Sequence, residues 1–322
     1  MSLVSPDRER RGILLMLLPY LTGVGLLVVI PAIFTFVLAF YEYDLIRPAE
    51  FRALGNFREL LADDVFKFSL RNSLVFVLAA VPLRLLGAFG LALLFHMRFR
   101  GVGTYRTGAY LPTVVPDVAF ALLWLWILNP LYGPLNAFLG LFGDFTPAWL
   151  TNPDAAQAAV VIMSLFQIGE GFIVALATRQ EIPDELYELA AIEGSRPFNV
   201  FRRITLPVMA PTLLLLLFRD TIFSFQASFV PALIVTDGGP PPYAPTYLPL
   251  FIYRNAFEYL RYGYAAAATL VMFVVTAVIV VIQYRIVRRW RKSFIVWALT
   301  RSRSGYSSSA VTRPRGGGPW AG

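Results

Sequence analysis

Cysteine is absent from this chain of 322 residues, so it makes no disulfide and offers no thiolate to a metal. Histidine occurs once, at His96, which excludes a centre built from several imidazoles. Lysine occurs only at Lys67 and Lys292, in the strings Val65-Phe66-Lys67 and Arg291-Lys292-Ser293. Neither follows the glycine-rich turn that a phosphate-binding P-loop requires, so the chain does not bind ATP by that device. No clustered nucleophile, base or metal-ligand set marks a catalytic centre, and no cofactor or metal is expected.

Charge is scarce as well. Charged residues make up 15% of the chain, against roughly 25% in soluble domains. Hydrophobic residues make up 57%, and the mean hydropathy is +0.62. A soluble core of this length could not hide so much apolar surface, which lipid must therefore cover. The net charge of +8 lies in short clusters beside apolar runs, not on one basic face. That pattern argues against a nucleic-acid partner and for a membrane protein with basic cytoplasmic loops.

Six apolar runs have the length of a transmembrane helix, about 20 residues. They lie near 13–40, 72–96, 107–128, 156–178, 208–234 and 263–287. The first contains Pro19 and Pro31, which membrane helices tolerate as kinks. It is also far longer than a signal-peptide core of about 7 to 15 residues, so it reads as an uncleaved span. The expected architecture is an all-α membrane protein with six transmembrane helices. It divides into a tail over 1–12, a six-span transmembrane domain over 13–290 and a basic tail over 291–322. From Ser302 onward that tail is rich in Ser, Gly, Arg and Pro and is expected to be disordered.

Arginine and lysine set the orientation. The first tail, the loop after the second run, the central loop and the last tail hold nineteen of them, against seven in the three alternate loops. Both termini and the central loop are therefore expected in the cytoplasm, although five of the seven opposing charges fall in 41–71.

The central loop, 181–207, carries the densest pattern. Ile182-Pro183-Asp184-Glu185 reads as a helix start, with proline in the first turn and acids at the positive dipole end. Gly194 reads as its left-handed stop, and Ser195-Arg196-Pro197 as the start of a second short helix. The string Glu188-Leu189-Ala190-Ala191-Ile192-Glu193-Gly194 is followed, after nine residues, by Ile204-Thr205-Leu206-Pro207.

That spacing resembles the EAA loop of ABC importer permeases. The likeness extends over about 13–290 and is specific to the carbohydrate-type subunits, of which the maltose-type first permease is the pattern. It is carried by Gly55-Asn56-Phe57, Tyr105-Arg106, Leu111-Pro112, Asn129-Pro130, Gly133-Pro134-Leu135-Asn136 and Trp149-Leu150. Thr236-Asp237-Gly238-Gly239-Pro240, Arg254-Asn255-Ala256-Phe257 and Gly263-Tyr264-Ala265-Ala266-Ala267 continue it. Leu189 stands where the family has alanine, Glu193 where it has aspartate and Asp237 where it has glycine.

The resemblance implies the type I importer permease fold, with a cytoplasmic coupling helix, in a prokaryotic inner membrane. It implies a second homologous permease, two ATP-binding subunits and an extracytoplasmic substrate-binding protein as partners, with lipid around the spans. Glu185, Glu188, Ala190, Ala191, Glu193, Gly194, Leu206 and Pro207 would form the contact with the ATPase.

Arg84, Asp117, Glu170, Arg219 and Asp220 fall inside apolar runs. An uncompensated charge there costs at least about 2.5 to 3.5 kcal/mol, so these groups must meet one another, a partner or water. Gln167 and Glu170 share a helix face, and Thr221, Ser224, Phe225 and Ser228 form a polar stripe with one aromatic ring. In the resembling subunits, residues at Glu170 and along that stripe border the sugar. A self-contained ion-coupled transporter is the alternative reading, although no internal repeat supports it.

Overall fold

The computed structural model describes residues 6–97, 99–143, 147–236 and 246–305, with side chains between positions 12 and 288. Arg98, most of the Thr236 to Pro240 turn and the tail beyond 305 lie outside the described residues.

Helix α1 (Pro6–Val24) passes through a π-turn at Gly25–Val29 into α2 (Ile30–Leu38). A hairpin follows, with β1 (Tyr41–Glu42) antiparallel to β2 (Glu50–Phe51) and Tyr41 opposite Phe51. Next come α3 (Gly55–Ala62), α4 (Asp64–His96), α5 (Val102–Val114), α6 (Asp117–Ile127) and α7 (Pro134–Leu139). The central region holds α8 (Pro153–Leu165), α9 (Gly169–Gln180), α10 (Glu185–Ile192) and α11 (Pro197–Val200). A π-turn at Phe201–Thr205 leads into α12 (Leu206–Ala227), then α13 (Phe229–Ile234), α14 (Leu248–Tyr253), a π-turn at Arg254–Glu258 and α15 (Tyr262–Gly305).

Four stretches are long and apolar enough to cross a membrane: Gly12–Leu38, Asp64–His96, Pro197–Ile234 and Tyr262–Arg288. The straight helices expected over 107–128 and 156–178 are instead two broken pairs, α5 with α6 bent by 100° and α8 with α9 bent by 42°. Among the described residues the count is thus four by length, or six with each bent pair as one span. The first break follows from Pro116, whose ring disfavours helical backbone at the residue before it; Val115 is extended, at φ −69° and ψ 128°. At the second, α9 restarts against α5. The Gly169 N–H donates to Thr113 Oγ1 at 3.0 Å, and a Cβ at Gly169 would lie 2.3 Å from that oxygen, so only glycine fits.

The other departures are at element ends. Helix α4 begins at Asp64, well before residue 72, because Asp63 caps it: Oδ1 accepts from the N–H groups of Val65 and Phe66. The expected second short helix of the central loop is α11, which merges through its π-turn into α12. At the C-terminus, α15 continues through 291–305, where disorder was expected from Ser302.

Helix α4 is the hub, with α8, α9, α12 and α14 packed on it. Small residues let the backbones approach: Ala80, Ala88 and Ala92 on α4 and Ala175 on α9 are all buried. Polar bonds fix the rotations. Asn72 donates to Thr246 O at 3.2 Å and accepts from Gln157 at 2.7 Å, while Ser73 Oγ accepts from the Leu248 N–H at 2.8 Å. Asn72 and Ser73 thereby join α4 to α8 and α14. The first span is the opposite case, since the rest of the chain buries none of its most apolar stretch.

One charged node ties α3 to the start of α15. Glu59 accepts from Arg52 Nη1 at 3.0 Å and from Arg261 Nη2, and the Arg261 guanidinium lies 4.2 Å from the Tyr264 ring centroid. Desolvation by itself would raise the Glu59 carboxyl, but the hydrogen bonds and charges of Arg261 and Arg52 outweigh it and hold it below its ordinary 4.5. A depressed carboxyl stabilises the fold above its unfolded pKa and loses that contribution as pH falls through the lower folded value. Replacing Glu59 by Gln is expected to cost about 1 kcal/mol at pH 7, the upper range for a partly exposed network. Thermal unfolding in detergent will show the gap from wild type at pH 7 and its closure as the medium is acidified well below 4.5.

Candidate functional site

Two places hold the residues singled out by sequence: the loop between α9 and α12, and the charged groups within the helices. In the loop, Ile182 is buried and anchors the chain before α10 begins. The end of α10 is a full Schellman closure. The Ser195 N–H bonds to Ala190 O at 2.9 Å and the Gly194 N–H to Ala191 O at 3.0 Å. Gly194 has φ +68°, as its expected role as a stop requires, with open space around its Cα. Arg196 is extended before Pro197, and the chain then turns into α11.

Among the described residues, one side of α10 packs against the rest of the protein. Ala190 is 7% exposed, whereas Leu189 is 58% and Ile192 is 83% exposed. Glu185, Glu188, Ala191, Glu193 and Gly194 are exposed too, as is Leu206 at the start of α12, and Pro207 is half-buried. Ala190 therefore does not offer its small side chain to an outside surface, as its place in the motif suggested. It lets α10 lie close against its own chain.

The anchors of that inner side were not picked out from the sequence. The hydroxyls of Tyr187 and Thr205 are 2.9 Å apart, and the Arg179 guanidinium lies 4.5 Å from the Tyr187 ring centroid. Tyr187 and Ile204 pack against the buried cluster of Phe172, Ala175, Leu176, Ile182 and Met209. The fixed spacing between Glu188 and Ile204 was the available signal, because it is what brings Tyr187 to Thr205.

Within the helices, four charges form a chain of alternating sign. Arg84 of α4 lies 3.6 Å from Asp220 of α12, and Arg219 lies 3.5 Å from the same Asp220 Oδ1. Arg219 also pairs with Glu170, on the first turn of α9. Arg84 Nη1 donates to Ser224 Oγ at 3.4 Å. Arg84, which no other sequence signal approached, is thus the buried end of a network whose open end is Glu170. Two guanidinium and two carboxylate groups balance, so the network carries no net charge. Asp117, on the first turn of α6, accepts from Gln167 Nε2 at 3.3 Å. That bond takes Gln167 away from the partnership with Glu170 that spacing suggested.

The polar stripe expected to meet substrate points inward. Thr221, Ser224, Phe225 and Ser228 are all buried by this chain, so the Phe225 ring has no free face for a sugar. The outward face of α12 carries Arg219, Phe223 and Gln226, spaced by four and then three residues. Phe223 lies beneath both guanidinium groups, with the Arg84 and Arg219 carbons 5.8 and 5.7 Å from its ring centroid.

Comparison with known proteins accords with this geometry. A probable ABC transporter permease protein of Bacillus subtilis (strain 168), YesP, is 33% identical over 276 residues, spanning 84% of this chain and 89% of its own length. The sulfoquinovosyl glycerol transport system permease protein SmoG of Agrobacterium fabrum is 28% identical over 283 residues, or 87% of this chain and 91% of its own length. A chain in the crystal structure of a bacterial ABC transporter that imports the acidic polysaccharide alginate superposes with a TM-score of 0.74. It is 25% identical, and the match covers 88% of this chain and 97% of that one. Residues 104–292 match the family described as the binding-protein-dependent transport system inner membrane component, and the chain belongs to that family, the membrane-embedded permeases of ABC importers.

Proposed function

We infer that this chain forms half of the translocation pathway of an ATP-driven carbohydrate importer and receives its power stroke through α10. The observation that carries this is the helix itself. It is exposed on its acidic and apolar side, closed by Gly194, and bonded through Tyr187 to Thr205 at the root of α12. A push on α10 is thereby passed to the helix that bears the charged network. The chain has no P-loop, so ATP hydrolysis falls to two partner ATPase subunits.

A second, homologous permease would supply the other half of the pathway, and an extracytoplasmic binding protein would deliver the substrate. The arginine and lysine bias supports cytoplasmic termini in a prokaryotic inner membrane. The carbohydrate assignment draws on SmoG, of a sulfoquinovosyl glycerol transport system, and on the importer of the acidic polysaccharide alginate. An ion-coupled transporter is disfavoured by family membership, and its proposed proton relay by the mutual neutralisation of the buried charges.

Two substitutions test the coupling reading. Glu188→Arg reverses an exposed charge, so membrane insertion is expected to be normal while substrate-stimulated ATP hydrolysis in reconstituted vesicles is abolished. Wild-type stimulation in that variant would count decisively against the ATPase contact. Tyr187→Phe removes one neutral hydrogen bond, worth about 1 kcal/mol, and leaves the outer side of α10 untouched. The ATPase is therefore expected to stay bound, while substrate moved per ATP hydrolysed falls several-fold in the same vesicles.

A further inference from the structure

The outward end of the charged network poses a physical problem. The Arg219 side chain is 38% exposed and that of Glu170 is 52% exposed, both on helices within apolar runs. A pair open to hydrocarbon would be costly, so this face borders water or the other half of a pathway. Its immediate surroundings are those of a small polar site. Arg219 projects its guanidinium beside the half-exposed ring of Phe223, with Gln226 on the same face of α12. Glu170 lies on the first turn of α9, a helix of 12 residues that starts at the break after Ile168. The positive dipole end of α9 is therefore turned toward the place where the Glu170 carboxylate now sits.

The two partners of Arg219 differ. Asp220 is buried and shared with Arg84, which holds it in place. Glu170 is exposed and makes its ion pair with Arg219 alone among the described residues. If Glu170 swings away, Asp220 still balances one guanidinium, and the other is left open to an incoming anion beside an aromatic face and a helix start. An anion in that position restores neutrality, and Glu170 is free to be solvated.

We propose that Arg219 is the specificity-determining residue of the pathway, receiving a carboxylate, sulfonate or phosphate group of an anionic carbohydrate in the place that Glu170 occupies in this structure. Glu170 is then an internal stand-in for the substrate anion, and the sugar ring attached to that anion stacks on Phe223. This inference rests on the carbohydrate-permease reading.

The test uses the assembled importer in nanodiscs, with its own binding protein at saturating concentration. Oligogalacturonate, its neutral methyl ester and glycerol 3-phosphate serve as probes, and stimulated ATP hydrolysis is the readout. An anionic probe is expected to stimulate. Arg219→Gln should raise the concentration for half-maximal stimulation by at least tenfold, and Arg219→Lys should recover part of the loss. Glu170→Gln should act in the opposite direction and lower that concentration several-fold, because it removes the competing anion. A purely structural ion pair predicts instead that both substitutions weaken the response together, for anionic and neutral probes alike, and that result overturns the proposal. Stimulation by the neutral ester alone also overturns it while leaving the permease reading intact. Hydrolysis that responds to none of the probes counts against the carbohydrate reading and this proposal together.

Discussion

A guanidinium buried among apolar helices cannot stand without a carboxylate, and the pairing of Arg84 with Asp220 is the constraint on which the rest of the arrangement depends. Arg84 sits on α4, the helix on which α8, α9, α12 and α14 all pack. Removing one partner of such a pair leaves an uncompensated charge at a cost of about 3 to 5 kcal/mol, so the register of α12 on α4 is strongly held. With 3.6 residues per turn, fixing Asp220 inward also carries Thr221, Ser224 and Ser228 inward and turns Arg219, Phe223 and Gln226 outward. One ion pair thereby decides which face of α12 is buried and which is exposed.

The same helix reaches back to the coupling loop without a full break. Pro207 lacks an N–H and cannot complete the regular ladder to the preceding turn, and the chain answers with the π-turn at Phe201–Thr205. Thr205, the last residue of that turn, holds the Tyr187 hydroxyl, while Ile204 packs into the cluster of Phe172, Ala175 and Met209. The link from α10 to α12 is therefore part hydrogen bond and part close packing. The packed part resists compression, as displacement toward the core must move side chains in close contact.

The sequence was most readable where a single local rule decides the outcome. Gly194 as a left-handed stop follows from backbone chemistry, and the apolar runs follow from the absence of water in lipid. The bends were harder, although Pro116 was in view, because proline inside a membrane run can either kink a helix or end it. The direction of the polar stripe on α12 was not legible for a further reason. Periodicity finds residues that share a face but not the direction of that face, and Thr221 to Ser228 pack inward because Asp220 must meet Arg84. The pairing of charges in two separate runs is a long-range fact, and no pattern within either run contains it.

This distinction between shared face and direction also explains how the coupling motif tolerates its departures. The inward position of α10 is held by Ala190, which is buried, and a larger side chain there would push the helix off the surface it packs against. Leu189 is the preceding residue, about 100° back round the helix, and it projects into open space, as Ile192 does. A change from alanine to leucine at 189 therefore costs this chain nothing in packing and adds apolar area to the outer surface. Glu193, exposed beside it, keeps the negative charge one methylene further out than aspartate would. Both departures fall on the exposed side of α10, while the buried Ala190 that holds the helix in place is unchanged. The constraint on fold and the freedom in partner choice are thus separated by one step along a single helix.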